Sequence, residues 1–248
     1  MIDVAMDGDI AVVTMRHGKA NALDIEFCEA LAARFAELRG GKAKAVVLTG
    51  QGTIFSAGVD LKRLSAGGAD YTRRFLPALH KLYDAVFFHA KPVVAALNGY
   101  AIAGGCVLAC CADRRVMSAG RIGVTELLVG VPFPALAFEI MRHATPPYFF
   151  SETILSGETF APEVAAHRGL VNQAVEPAQL MQRAIAAAQE LAALSPPAFA
   201  QTKKQIRAAV SERYAASGAV TDKAITDIWC APATLGYIRD YVARTLTK

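Results

Sequence analysis

Charge is scarce in this chain. Only 19% of its 248 residues are Asp, Glu, Lys or Arg, against 54% hydrophobic ones. That balance excludes a disordered chain, which needs few apolar residues and many charges. Basic runs are short, none longer than spots such as Lys203-Lys204, so the basic, aromatic-interleaved pattern of a nucleic-acid binder is missing. A net charge of +4 suits an anionic small molecule at least as well. The first ten residues hold Asp3, Asp7 and Asp9 and no Lys or Arg; the basic start of a secretory leader is absent, and a cytoplasmic location is expected. Five cysteines (Cys28, Cys106, Cys110, Cys111 and Cys230) form no C-x-x-C pair. Cys106 and Cys110 lie at i, i+4, which fits a metal site geometrically, but no His is nearby; reduced buried thiols and no metal are the expectation. Gly50-Gln51-Gly52 is half a dinucleotide fingerprint, with Phe55 where the third glycine belongs. Ser56 lacks the G-x-S-x-G setting of an activated nucleophile.

What the chain does have is concentrated in residues 92–113, PVVAALNGYAIAGGCVLACCAD. Residues 92–97 predict a short strand buried on both faces. Asn98-Gly99 marks a turn, and from Ala103 a small-residue helix runs without a charge to Asp113. Gly104 and Gly105 fall where it begins, and helix starts carry N–H groups without intrahelical acceptors that glycine leaves approachable. Close packing of a core helix explains the same glycines. Residues 93–112 are also long enough and apolar enough to span a bilayer, but Asn98, the three glycines and the strand-like VVAAL oppose a membrane helix.

Before this stretch, residues 2–6 and 10–15 flank Asp7-Gly8-Asp9 and predict a hairpin. Asp24 is placed to cap a helix with Phe27, Leu31, Phe35 and Leu38 on one face, stopped by Gly40-Gly41. Residues 45–49 read as a buried strand, 50–61 as a glycine-rich loop, and 71–89 as a helix with Phe75, Leu79, Leu82 and Val86 inward. Residues 114–118 read as a further strand. Strand, glycine loop and helix thus occur twice in succession, which predicts a parallel sheet with its loops gathered at the strands' carboxyl ends. Beyond Pro132 the pattern is mostly helical: residues 177–194, 196–216 and a last segment to Lys248, with strand-like LVNQAV (170–175) before them. The amphipathic tail needs an apolar surface, on this subunit or on a neighbour.

Three signals gain force together. SAGVDL (56–61) follows one predicted strand and NGYAIAGGC (98–106) follows the next; Glu126 lies in RIGVTELLVGVP with Val124 before it and Leu127 and Leu128 after. Two backbone donors from parallel strand ends can meet on one oxygen, and a carboxyl in an apolar wall can shuttle a proton beside it, as an enolate intermediate requires. Alone, Glu126 reads equally as a helix-start charge or an ion-pair partner. Glu139 reads as a surface or ion-pair residue.

From end to end the chain resembles the crotonase superfamily, the enoyl-CoA hydratase/isomerase family. The fragments KANALD, FSAGVDL, NGYAIAGGCVLACCAD, TELLVGVP, LSGETFAPEVAAHRGLVNQAV and IWCAPATLGYIRDY stand in the family's order and spacing. The resemblance implies an α/β fold, a spiral of β-β-α units over residues 1–195, with a helical C-terminal trimerisation region over 196–248. It implies a homotrimer or dimer of trimers, no membrane or nucleic-acid partner, and no cofactor beyond the coenzyme A of an acyl-CoA substrate. By position, the family's oxyanion donors are the N–H groups of Val59 and Gly104, and its CoA-contacting residues are Lys19, Ala20, Ala22, Ala57, Asp60 and Leu61. Glu126 matches the second of the two hydratase glutamates.

The departures steer the reaction. Val107 stands where hydratases carry their first glutamate, so water addition, which uses two carboxylates, is disfavoured. Double-bond isomerisation needs one base, and isomerases resembling this chain keep only the glutamate at the Glu126 position. Pro134 stands where dienoyl isomerases and a dehalogenase branch carry an aspartate, and Phe133-Pro134 predicts a reshaped acyl pocket. Isomerisation leads, hydration follows, and an acyl-CoA binder without catalysis is the alternative of another class.

Overall fold

The computed structural model describes residues 1–245. Strand β1 (Ile2–Asp7) turns at Gly8 and returns antiparallel as β2 (Ile10–Met15). Helix α1 (Ile25–Gly40) starts where Asp24 accepts the Phe27 N–H at 2.8 Å, and it buries Phe27, Leu31, Phe35 and Leu38. Three β-β-α units follow: β3 (Ala45–Gly50), β4 (Ile54–Ser56) and α2 (Leu61–Phe87); β5 (Val93–Leu97), β6 (Tyr100–Ile102) and α3 (Gly104–Cys110); β7 (Arg114–Met117), β8 (Ile122–Gly123) and α4 (Glu126–Val129). The remainder is α5 (Ala135–Ala144), α6 (Pro147–Ser156), β9 (Thr159–Phe160), α7 (Pro162–His167), β10 (Gln173–Ala174), α8 (Leu180–Ala192), α9 (Pro196–Cys230) and α10 (Pro232–Thr245).

In each unit the first strand joins a six-stranded sheet ordered β1-β2-β3-β5-β7-β10, and the second joins a four-stranded sheet ordered β4-β6-β8-β9. From β2 onward the large sheet is parallel, as are β4, β6 and β8. This is the spiral of a crotonase fold. Strands β3 and β5 are buried along their whole length because both faces are covered, by α1, α2 and α3 on one side and by α8 (Leu180, Ala184, Ala188) on the other. That is why they read as unbroken apolar runs rather than alternations. The step between sheets is tight. A Cβ at Gly99 would come within 1.7 Å of the Thr53 carbonyl oxygen, so only glycine lets one unit stack on the last.

Several sequence expectations shift. The 50–61 loop contains β4, and 98–106 contains β6; both strands are three residues long, too short for an alternation to register. Helix α2 begins at Leu61 rather than residue 71, breaks at Gly68 (φ 57°, ψ −147°) and ends at Phe87. Of 170–175, only Gln173 and Ala174 pair in the sheet. Helix α9 continues beyond 216 to Cys230 and stops where Ala231, held extended, precedes Pro232. The last helix is described to Thr245, and the expectation of helix to Lys248 lies outside the described residues beyond that point. The apolar surface under α10 belongs to this subunit: Leu235 and Ile238 are buried, and the helix packs on α2, α9 and α4. No described helix is long and apolar enough to cross a membrane.

Candidate active site

The small parallel sheet aims three segments at one place. Ala57–Asp60 leaves the end of β4, Ala103 the end of β6, and Thr125-Glu126 the end of β8, and all of them line a cavity of about 480 Å³. Carboxyl ends of parallel strands are where such folds bind ligands.

Val59 sits in an isolated parallel bridge with Leu23. The bonds fall on either side of it, Leu23 N–H to Gly58 O at 2.7 Å and Asp60 N–H to Leu23 O at 3.0 Å. Parallel pairing therefore turns Val59's own N–H away from Leu23. Gly104 is the first residue of α3, so its N–H has no acceptor within the helix. The two backbones touch: a Cβ on Gly58 would lie 3.1 Å from the Gly104 nitrogen, and one on Gly104 would lie 3.7 Å from Val59 Cγ2. Ala103 enters the helix at φ 51°, ψ −124°, a strained conformation for a residue with a side chain. Gly105 packs against Ser56, whose carbonyl oxygen would be 2.3 Å from any Cβ there. Close packing thus acts at both glycines, since a Cβ on Gly104 would also lie 2.9 Å from the Tyr83 hydroxyl.

Glu126 opens α4 and is 8% exposed, and its Oε2 has no hydrogen-bond partner. Burial pushes its carboxyl up from 4.5 to about 7, opposed by its own N–H and that of Thr125. Of its apolar sequence neighbours Val124, Leu127 and Leu128, only Val124 is buried. Leu127 and Leu128 are 40% and 47% exposed, and neither lines the cavity. The apolar wall comes from Ile102, Val129, Val131 and Trp229. The other carboxylate on the cavity, Asp60, is engaged as the cap of α2, accepting the Arg63 N–H at 3.0 Å. Val107 is 1% exposed, inside α3. Glu139 pairs with Arg213 and Arg142, as expected of an ion-pair residue.

Ala20, Ala22, Ala57, Val59, Asp60 and Leu61 all line the cavity. Lys19 is exposed beside Ala20 and does not line it, and Gly104 reaches it only through its neighbour Ala103. Phe133 and Pro134 do not line it either; Phe133 belongs to a neighbouring cavity and Pro134 precedes α5. Three contributors were not among the expected site residues. Trp229 and Tyr241 come from the C-terminal helices, at the two ends of the fragment IWCAPATLGYIRDY, which carried the family likeness without pointing to either side chain. Tyr83, fully buried in α2, donates its hydroxyl to the Gly104 carbonyl at 3.0 Å, and burial followed by the Glu126 charge pushes its phenol up. Among the described residues, no three His, Cys, Asp or Glu side chains are grouped to hold a metal.

Fold and cavity define an enzyme of the crotonase type, with one buried acid on the wall of a largely apolar pocket. The family model for enoyl-CoA hydratase/isomerase matches residues 5–228. A putative enoyl-CoA hydratase of Thermus thermophilus is 34% identical over 81% of each chain. Crystal structures of human mitochondrial Δ3-Δ2-enoyl-CoA isomerase (TM-score 0.93, 23% identity, covering 98% of this chain and 97% of that one) and of a probable enoyl-CoA hydratase, EchA3, of Mycobacterium tuberculosis (TM-score 0.80, 30% identity, 99% and 98%) share the fold. The chain belongs to the enoyl-CoA hydratase/isomerase family.

Proposed function

We propose that this enzyme moves the double bond of a 3-enoyl-CoA from C3–C4 to C2–C3, with Glu126 as the only proton carrier. The observation behind this choice is that Glu126 is the one buried carboxyl lining the cavity, with Val107 filling the other glutamate position inside α3. Hydration divides water activation and C2 protonation between two acids. Isomerisation asks one group to take a proton and give it back.

In this reading the thioester carbonyl oxygen accepts from the N–H groups of Val59 and Gly104. The Glu126 carboxylate removes a proton from C2, and the C–H electron pair delocalises onto that oxygen as an enolate. The pair then returns to form C2=C3, while the C3=C4 pair takes the proton back from Glu126 at C4. Nothing is consumed, so no cofactor is required and coenzyme A enters as part of the substrate. A carboxyl near 7 is half ionised at neutral pH and strong enough as an acid to return the proton. The CoA moiety runs along Ala20, Ala22, Ala57, Asp60 and Leu61, with Lys19 at the rim. The assembly is a homotrimer or dimer of trimers, which sedimentation measures directly. The cytoplasm suits a chain whose five cysteines are all unpaired.

The test is to give the enzyme a 3-enoyl-CoA and crotonyl-CoA and follow the absorbance of the conjugated thioester. Isomerisation makes it appear from the first; hydration makes it fade from the second, the reading that the Thermus relative's name favours. Glu126→Gln is expected to bind CoA esters and to lose turnover. Full activity in that variant, or hydration without isomerisation, overturns the proposal.

A further inference from the structure

Beside the Glu126 cavity lies a second one of about 430 Å³, and one short stretch of chain divides them. Glu126, Val129 and Val131 line the first; Leu127, Pro132 and Phe133 line the second. The partition is held by its own backbone, with Gly130 N–H on Leu127 O and Val131 N–H on Glu126 O, both at 3.1 Å. It is also pinned from α9, where the Trp229 indole Nε1–H donates to Pro132 O at 2.9 Å. Trp229 is 2% exposed and lines the first cavity, while α9 residues including Tyr214 and Gly218 line the second. The second cavity is walled by Leu127, Phe133, Phe138 and Ile154 and holds no unpaired charge, since its Glu139 and Arg213 pair with each other.

We propose that Trp229 sets the acyl-chain length this enzyme accepts. The alkyl tail of the bound thioester passes Val129 and Val131 and ends against the indole. The Trp229–Pro132 hydrogen bond closes the way into the second cavity, which is apolar enough to hold a longer tail. This rests on the acyl-CoA reading above. An indole whose one polar group is spent on the partition offers the cavity only hydrocarbon-like surface, which welcomes a methyl terminus and stops it. A methylene that does not fit an apolar pocket is worth roughly 10-fold or more in discrimination.

Trp229 is the chain's single tryptophan, so its emission reports on this spot without any turnover. Titrating the intact protein with saturated butanoyl-, hexanoyl-, octanoyl- and decanoyl-CoA should change that emission, with decanoyl-CoA binding at least ~10-fold more weakly than the tightest short ester. In Trp229→Ala, followed by calorimetry, the decanoyl-to-butanoyl affinity ratio should rise by at least ~10-fold. Trp229→Phe keeps the bulk and should keep the short-chain preference. Chain-length-independent binding by the native protein, or an unmoved ratio in a folded Trp229→Ala, overturns the inference and leaves the acyl-CoA reading standing. The native profile alone decides if Trp229→Ala does not fold. Failure of every ester to bind sinks both.

Discussion

Glu126 should make the protein less stable where it makes it active. In the folded chain its carboxyl holds its proton up to about 7, whereas its ordinary value is 4.5. Between those values the folded state binds more protons than the unfolded one, so stability falls as pH rises through that window. At 1.36 kcal/mol for each pKa unit, the loss from this group is about 3 kcal/mol by roughly pH 8. Glu126→Gln removes the titration and keeps the shape. Whatever the buried amide costs is the same at every pH, so the readout is how the difference between variant and native protein changes with pH. Urea unfolding at fixed protein concentration should show Glu126→Gln gaining about 3 kcal/mol on the native protein between about pH 4 and pH 8. In parallel, native kcat/KM should climb with pH through about 7 and level off, as for a base that must be ionised. A difference in stability that stays flat across this range refutes the claim that burial holds the proton on Glu126, and with it the fitness of that carboxyl for the chemistry.

Other outcomes follow from single residues. Asp113 accepts from Lys203 Nζ at 2.6 Å, Arg207 Nη2 at 2.7 Å and the Val93 N–H; Asp113→Asn strands two buried cations and should cost about 3–5 kcal/mol in denaturant unfolding. His89 is buried with both ring nitrogens unpartnered, and burial lowers its pKa to about 3. The folded state therefore binds fewer protons than the unfolded one below pH ~6.5, and His89→Leu should flatten the loss of stability as pH falls from there toward 3. Ala103→Gly relieves the φ 51° strain and should raise stability by about 1 kcal/mol in thermal unfolding. A drop would mean that the neighbouring packing, not the dihedral, governs that position.

Legibility followed the length of each signal. Helix α1 could be read because Asp24 and four apolar residues at helical spacing reinforce one another, and β3 and β5 because burial on both faces leaves unbroken apolar runs. The second strand of each unit could not be read from pattern, since three residues such as Ile54–Ser56 are fixed by pairing with the neighbouring unit, here β6, rather than by their own alternation. Glu126 was legible as a lone acid among apolar neighbours, yet the adjacent Leu127 and Leu128 were the wrong place to look for its wall. Val129 and Val131, further along the same stretch, supply it together with Trp229, and Trp229 lies about a hundred residues away. Phe133 lines the neighbouring cavity, on the far side of the partition. Contacts made by sequence-distant side chains leave no periodic trace.

The same distance explains why α9 carries so many polar anchors. Lys203 and Arg207 bind Asp113 at the base of β7, Asp222 accepts the Ala135 N–H at 2.8 Å, and Trp229 binds Pro132. Hydrophobic packing alone lets a helix slide or turn over an apolar surface at little cost, because it has no direction. Hydrogen bonds at successive points along the helix fix both its rotation and its register. A 35-residue helix so fixed carries a rigid indole to the cavity from outside the β-β-α core. Loosening the first anchor with Asp113→Asn should therefore blur the emission response of Trp229 to acyl-CoA esters as well as lower stability, whereas an unchanged response in a folded variant would show that Pro132 and Asp222 hold the indole by themselves.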